Sequence, residues 1–283
     1  MSASYRPATP ADLEAQHAVF CRAEGALRRA HGYAWVDPPL GWFASVSGHV
    51  LATDPERCFV AEIDGRVVGF SAALVRDDVW FFAALFIDPD RQGQGIGRRL
   101  FDLAAAAAPP RRVTITDSIQ PISTALYARN GLIPTVPLLL FEGRPSVEAP
   151  ADLAVGEALA RDLLELDRAG YGFDRSIDHP FWSRQRTRTV WTRKGKAVGY
   201  AYHSMTGSIG PLVGRDPATA ADCLRAELAV RPRAIVEVPG TARELVEVAL
   251  GAGLRLVPPP GILLLSRGMQ APDRIAISNY FLY

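Results

Sequence analysis

The stretch Gln92-Gly93-Gln94-Gly95-Ile96-Gly97 decides how this chain is read. It follows an apolar run from Trp80 to Ile87 that reads as a buried strand. It precedes Arg98-Arg99-Leu100-Phe101-Asp102-Leu103-Ala104-Ala105-Ala106, which reads as a helix. A glycine-rich turn feeding a helix N-terminus is a place to hold a phosphate. The first N–H groups of the helix have no carbonyl to bond, and the helix dipole adds partial positive charge there. Glycine lets the backbone approach such a ligand without a Cβ in the way. Glycine pairs also simply turn a chain, so the neighbours must carry the argument. The spacing is not Gly-x-Gly-x-x-Gly, and no Gly-Lys-Ser/Thr is present, so this is neither the dinucleotide fingerprint nor a P-loop.

Asp88-Pro89-Asp90-Arg91 ends the strand, Gln-x-x-Gly-x-Gly follows, and an amphipathic helix comes next. This strand–loop–helix resembles the acetyl-CoA site of the GNAT acetyltransferase superfamily. Its signature, Gln/Arg-x-x-Gly-x-Gly/Ala, is met by Gln92, Gly95 and Gly97. The resemblance implies that acetyl-CoA is a co-substrate and that Gln92, Gly93, Gln94, Gly95, Ile96, Gly97, Arg98 and Arg99 form its binding loop. It also implies that Leu85, Phe86 and Ile87 offer main-chain groups to the pantetheine arm and the acetyl oxygen, where their strand splays from its neighbour. Gln120 stands where the family often has an asparagine on pantetheine, and Ser123 is placed with it at the cofactor.

Thioester aminolysis also needs an acid for the leaving thiolate and a base for the amine. Tyr127 lies in Ala125-Leu126-Tyr127-Ala128-Arg129-Asn130-Gly131-Leu132, similar to the family's Leu-Tyr-x-x-x-Gly-Phe, where the tyrosine is the general acid. The glutamate that many family members carry before the loop is missing, since Ala83, Ala84 and Leu85 stand there. Asp117 is the expected catalytic carboxylate, with Ser118, Asp77, Asp78, His31 and Glu24 as further candidates. The polar run Thr116 to Ser123 is expected to face the substrate. Trp35, Trp42 and Trp80 are candidates for an acceptor pocket, with core packing the stronger reading of Trp80.

The order of elements is read twice along the chain. The first half gives a strand at Tyr5–Thr9, a helix from Pro10, a loop or broken helix from His31 to Val50, and a hairpin turning at Asp64-Gly65. The strand–loop–helix follows, then a strand at Arg112–Thr116, a helix at Ser123–Asn130 and a strand at Val136–Glu142. The second half repeats this, with a hairpin at Thr189–Tyr202, a strand at Ser208–Val213, a helix from Asp216, and a strand–helix–strand from Ala234 to Leu265. The expected fold is α/β with a mixed sheet, as two tandem GNAT-like copies: a first domain over 1–143, a linker over 144–150, and a degenerate copy over 151–283. The second copy has Arg215-Asp216-Pro217 at the loop position, where Asp216 would cap a helix but repel a pyrophosphate. Ala249 stands where Tyr127 stands in the first copy.

Composition narrows the function class. The chain has 283 residues, 48% of them hydrophobic, and a formal net charge of +1. That balance suits a globular protein and argues against a nucleic-acid or anionic-membrane surface. The sequence has no run long enough to span a bilayer and no signal-peptide core, so a cytoplasmic monomer or homodimer is expected. The 3 cysteines have no metal spacing and read as buried thiols. The apolar tail Ile275–Tyr283 is expected to dock on a domain or on a partner subunit. The leading expectation is an N-acetyltransferase acting on a small-molecule amine; the alternative is a non-catalytic CoA or metabolite sensor.

Overall fold

The computed structural model describes residues 3–283. It divides into two compact units, Met1–Ile133 with Tyr280–Tyr283, and Pro134–Asn279. The boundary expected at 143/144 lies at 133/134, and the segment expected as a linker, 144–150, lies inside the second unit. The reason is strand pairing: the strand expected to close the first half spends its hydrogen bonds on the second.

The first unit runs β1 (Ser4–Pro7), α1 (Leu13–Ala30), α2 (Leu40–Thr53), β2 (Phe59–Ile63), β3 (Arg66–Arg76), β4 (Val79–Ile87), α3 (Ile96–Ala104), β5 (Arg111–Asp117) and α4 (Pro121–Arg129). Its strands lie in the order β1-β2-β3-β4-β5. The first four are antiparallel, and β4 pairs β5 in parallel. Asp64 and Gly65, at φ 52° and 73°, make the β2–β3 turn. Two successive positive φ values give a turn whose twist matches that of the strands it joins. The stretch read as a loop or broken helix resolves into a loop and α2. Phe43, Val46, Ser47, Val50 and Leu51 are buried along α2. That spacing marks one helical face, which the Trp-Pro-Gly composition had masked. Trp80 is core, as expected: it is fully buried and donates its indole N–H to Ala104 O at 3.2 Å.

One detail of this sheet positions the site. The β4–β5 ladder runs from Val79–Arg111 to Phe82–Thr114. Both strands continue beyond it, β4 to Ile87 and β5 to Asp117, so they part after Phe82. On its other edge β4 stays paired with β3 as far as Ile87–Gly69. The result is a cleft between two parallel strands, floored by main chain.

The second unit contains β6 (Ile133–Gly143), β7 (Ala154–Gly156), α5 (Ala160–Gly170), α6 (His179–Gln185), β8 (Thr187–Arg193), β9 (Lys196–His203) and β10 (Ser208–Gly214). It continues with α7 (Pro217–Ala229), β11 (Ala234–Pro239), α8 (Arg243–Gly251), β12 (Arg255–Leu265) and β13 (Ile275–Ala276). The strand order is β12-β6-β11-β10-β9-β8-β7, with β13 on β10. The six-residue ladder of β6 with β11, from Ala234–Gly143 to Pro239–Leu138, is what draws β6 into this unit. Helix α6 was not legible in the sequence: it is short, and its buried residues His179, Phe181 and Trp182 do not alternate with a clear polar face.

Candidate active site

The glycine loop has the shape its sequence implied. Pro89–Arg91 forms a single turn after β4, and Asp88 accepts the Asp90 N–H at 3.2 Å. Gly93 and Gly95 take left-handed φ values of 75° and 80°, and Gly95 is the residue from which α3 starts. The first helical acceptor is Gly95 O, which Arg99 N–H reaches at 3.1 Å. The N–H groups from Gly95 to Arg98 therefore open outward with no helical carbonyl to bond. A Cβ on Gly93 or Gly95 would meet nothing within 4 Å, so both face open space. The loop is held from below by Ile96 and Leu100, buried against Ala61, Ile63 and Val68.

A cavity of about 640 Å³ begins at this loop. Its walls bring together most of the residues expected at the cofactor: Leu85, Phe86, Ile87, Gln92, Gly93, Gly95, Ile96, Gly97, Arg98, Gln120 and Ser123. Gln94 and Arg99 lie outside the lining and are exposed; Gln94 turns its amide back to Asp90 O at 3.5 Å. Where β4 and β5 part, the cavity runs past the edge of Ala83 to Ile87, on which Ile87 O accepts the Gln92 amide N–H at 3.2 Å. Main-chain groups on such an edge have no strand partner and can bond an extended ligand arm.

Tyr127 also lines this cavity. It is 4% exposed, with its ring against Phe82 and Phe101 at centroid distances of 5.6 and 6.0 Å. Burial pushes its phenol well above the ordinary value, and a hydrogen bond with Ser123 one turn away pulls it partly back. The phenol is therefore protonated at any working pH, available to donate and unable to act as a base. Its position is fixed by the helix end: Leu132 N–H returns to Tyr127 O at 3.0 Å, around Gly131 at φ 83°.

Three charges also meet at this cavity. Arg28 Nη2 of α1 holds Asp117 Oδ2 of β5 at 2.6 Å. Arg28 Nε stands 3.6 Å from Glu24 Oε2, beyond hydrogen-bond reach. Glu24 Oε2 and Asp117 Oδ1 are both buried and have no hydrogen-bond partner among the described residues. Glu24 and Asp117 line the cavity. Burial raises Glu24 to about 7, helped by the Asp117 charge and opposed by Arg28. Burial also raises Asp117, against the pull of Arg28. Asp117, expected as the catalytic carboxylate, thus has one oxygen committed to an arginine, and Glu24 is the freer of the two.

The Glu24 shift has a sign that can be checked. Its ordinary value is 4.5, and the folded value lies near 7. Between those values the folded chain holds a proton that the unfolded chain has lost, so stability falls as pH rises through the window. Glu24→Gln lacks this group. Its stability relative to wild type should rise by about 1–3 kcal/mol between roughly pH 4.5 and 8, read by urea unfolding at each pH. A difference that stays constant with pH would mean that Glu24 titrates normally.

Other candidates fall elsewhere. Asp78 pairs with Arg111 at 2.6 Å at the β3–β4 turn, where Asp77 takes φ 49°. Ser118, Asp77, Asp78, Trp35 and Trp42 do not line the cavity, whereas His31 does. Trp35 donates to Asp37 Oδ1 at 2.7 Å, and Trp42 packs edge-on against Phe281 at 6.1 Å. The apolar tail expected to dock on a domain does so at its end: Tyr280 and Phe281 belong to the first unit and form cavity wall there. Phe281 stacks on Phe86 at 6.3 Å and meets Phe20 at 5.9 Å.

The equivalent place in the second unit is built differently. Asp216 caps α7 by accepting Thr219 N–H at 2.8 Å, and no glycine loop precedes it. Ala249 of α8 is fully buried where a tyrosine would be needed. Strands β10 and β11 pair only at Ser208–Ile235 and Ile209–Val236 and then part, as β4 and β5 do. Here the gap is filled by the chain itself. Ile275 and Ala276 of β13 pair with Val213 and Leu212, and Ile277 N–H bonds Glu237 O at 3.0 Å. A Cβ on Gly210 would sit 2.0 Å from Ile277 O, so only glycine admits this packing.

Residues 54–132 match the acetyltransferase (GNAT) domain family. No curated protein matches the chain in sequence. Among solved structures, a Pyrococcus horikoshii protein provisionally assigned as an acetyltransferase is 18% identical with a TM-score of 0.80. That alignment covers 99% of this chain and 96% of the other. A GCN5-related N-acetyltransferase from Sphaerobacter thermophilus is 14% identical with a TM-score of 0.65, covering 95% and 97%. A tandem GNAT protein from the clavulanic acid biosynthesis pathway is 17% identical with a TM-score of 0.59, covering 94% and 98%. At these identities the likeness is one of fold. Residues 54–132, inside the first unit, match the acetyltransferase (GNAT) domain family, and the chain as a whole has the fold of these structures, the tandem GNAT protein among them.

Proposed function

We propose that the protein is an acetyl-CoA-dependent N-acetyltransferase whose single working site lies in the first unit and whose acceptor is a small-molecule amine. The observation that carries this reading is the cavity. One continuous space joins a phosphate-competent loop, a parted strand edge, a protonated phenol and two buried carboxylates.

Acetyl-CoA supplies the activated acyl group as a thioester. The loop from Gly93 to Arg98 suits its pyrophosphate, through outward N–H groups at a helix start. The edge of Ala83 to Ile87 suits its extended arm. Tyr127 holds a proton for the sulfur that leaves. A cationic amine must shed one proton before its nitrogen can form the C–N bond, and a second as the amide forms. One of the two passes to the thiol and the other to solvent, so the sum R–NH3⁺ plus acetyl thioester gives amide, thiol and one H⁺. The second unit, with its cleft filled, serves here as a folded partner and not as a second catalytic centre.

The test is release of free CoA thiol from acetyl-CoA, followed with a thiol reagent, over a panel of primary amines. Amine-dependent release with equimolar amide formation is expected. Tight binding of acetyl-CoA without release across the panel would favour a CoA sensor instead.

A further inference from the structure

The carboxylate-bearing wall of the cavity carries information about the acceptor. Three elements meet there. Helix α1 presents Ala23, Ala26 and Leu27 with the single carboxylate of Glu24; β4 and the tail present Phe86 and Phe281; β5 presents Asp117. One arginine, Arg28, serves both carboxylates, so the cluster keeps a net charge of −1 when both are ionised. Asp117 is 7% exposed, and its Oδ1 is left without a partner among the described residues. Glu24 Oε2 is in the same condition. A buried carboxylate oxygen with an empty lone pair is costly unless something donates to it. A ligand ammonium has three N–H donors and one positive charge, which matches two open oxygens and one uncompensated negative charge. Ala23, Ala26, Leu27, Phe86 and Phe281 make the wall beside the carboxylates largely apolar, with Thr116, His31 and Tyr280 as further polar groups on the lining. A carboxylate on the acceptor would stand against two carboxylates with their only arginine already engaged.

We propose that the acceptor is a primary amine on an apolar body, with no carboxylate of its own, held at its ammonium by Glu24 and Asp117, and that Glu24 is the group that takes its proton. The recognition half of this stands on the cavity alone; the catalytic half rests on the acetyltransferase reading. The proton passes from the ammonium nitrogen to Glu24 Oε2, leaving a neutral amine and a neutral carboxyl, and the carboxyl then returns it to water. Arg28 faces Glu24 from its own helix and Asp117 faces it from β5. Burial raises Glu24, and the opposed effects of Asp117 and Arg28 leave it in the range where it can accept and release that proton near neutrality. Asp117, tied to Arg28, positions the ammonium and does not itself exchange the proton.

The experiment is calorimetric titration, with CoA present, of 2-phenylethylamine, phenylalanine and 3-phenylpropionate into wild type, Glu24→Gln and Asp117→Asn. Wild type should bind 2-phenylethylamine about tenfold or more tighter than phenylalanine and should not bind 3-phenylpropionate, as like charges in a buried site require. Each variant should lose about tenfold or more for the amine, the loss expected for a buried charged hydrogen bond. At about pH 6.5, binding to wild type should release protons, seen as heat that depends on the buffer, and Glu24→Gln should release none. Phenylalanine binding as well as 2-phenylethylamine, no amine binding by wild type, or unchanged affinity and proton release in Glu24→Gln would each overturn the inference. Failure of wild type to bind acetyl-CoA would instead sink the acetyltransferase reading, and the amine titration would still decide this one.

Discussion

Gly95→Glu should bind no acetyl-CoA at concentrations that saturate the wild type, while its melting temperature falls by only a few degrees. The two effects separate because of where the glycine stands. Gly95 opens α3 at φ 80°, a conformation that costs an L-residue roughly 1–2 kcal/mol. For a chain of this size each kcal/mol corresponds to about 2–4 °C. No protein atom lies within 4 Å of the added Cβ, so packing adds nothing to that cost. The carboxylate, in contrast, enters the space where the outward N–H groups would meet a pyrophosphate in the proposed complex, and it sets negative charge against that pyrophosphate. Gly97→Ala is the matched control. Its Cβ would rest 3.6 Å from Ile87 Cγ1 and 3.9 Å from Leu85 Cδ2, in ordinary contact, and its fold should be undisturbed. Wild type should titrate to one acetyl-CoA per chain. Two sites would show that the second unit binds as well, despite the strand in its cleft, and binding retained in Gly95→Glu would remove the loop from the site.

Tyr127→Phe should lower kcat about 100-fold or more, with KM for acetyl-CoA nearly unchanged, the effect of losing a general acid. The ring is what packs the helix: its contacts are with Phe82 and Phe101, and both survive the substitution. Only the hydroxyl goes, together with its hydrogen bond to Ser123, worth about 1 kcal/mol of stability. Binding and folding should therefore hold while the step that needs a proton at sulfur slows. Steady-state kinetics and a thermal melt on the same sample separate these. A fall in kcat/KM that comes through KM alone would make Tyr127 a packing residue.

Much of this site was legible in the sequence because it depends on local geometry. Two glycines at left-handed φ, an Asp-Pro turn and a helix start are set within ten residues, and backbone sterics fix their meaning wherever they occur. The Tyr127-to-Gly131 spacing is of the same kind, as is the Asp216 cap that replaces the loop in the second unit. The base was different. Glu24 and Asp117 lie far apart in sequence, and nothing in either neighbourhood distinguishes them from solvated acids. Glu24 becomes poised only because α1 packs over β3 and β4, which removes its water and sets it near Asp117 of β5 with one shared arginine.

The same division holds for the fold. The sequence by itself determined the strand–loop–helix, the hairpin in each half, and the loss of the glycine loop from the second copy. Local preferences and hydrophobic period are written residue by residue. Only the tertiary structure decided which unit β6 joins, that Tyr280 and Phe281 wall the first unit's cavity, and that β13 fills the second unit's cleft. Those outcomes depend on which distant edge a strand pairs with, and the hydrogen bonds of a strand edge are alike for every sequence that can reach it.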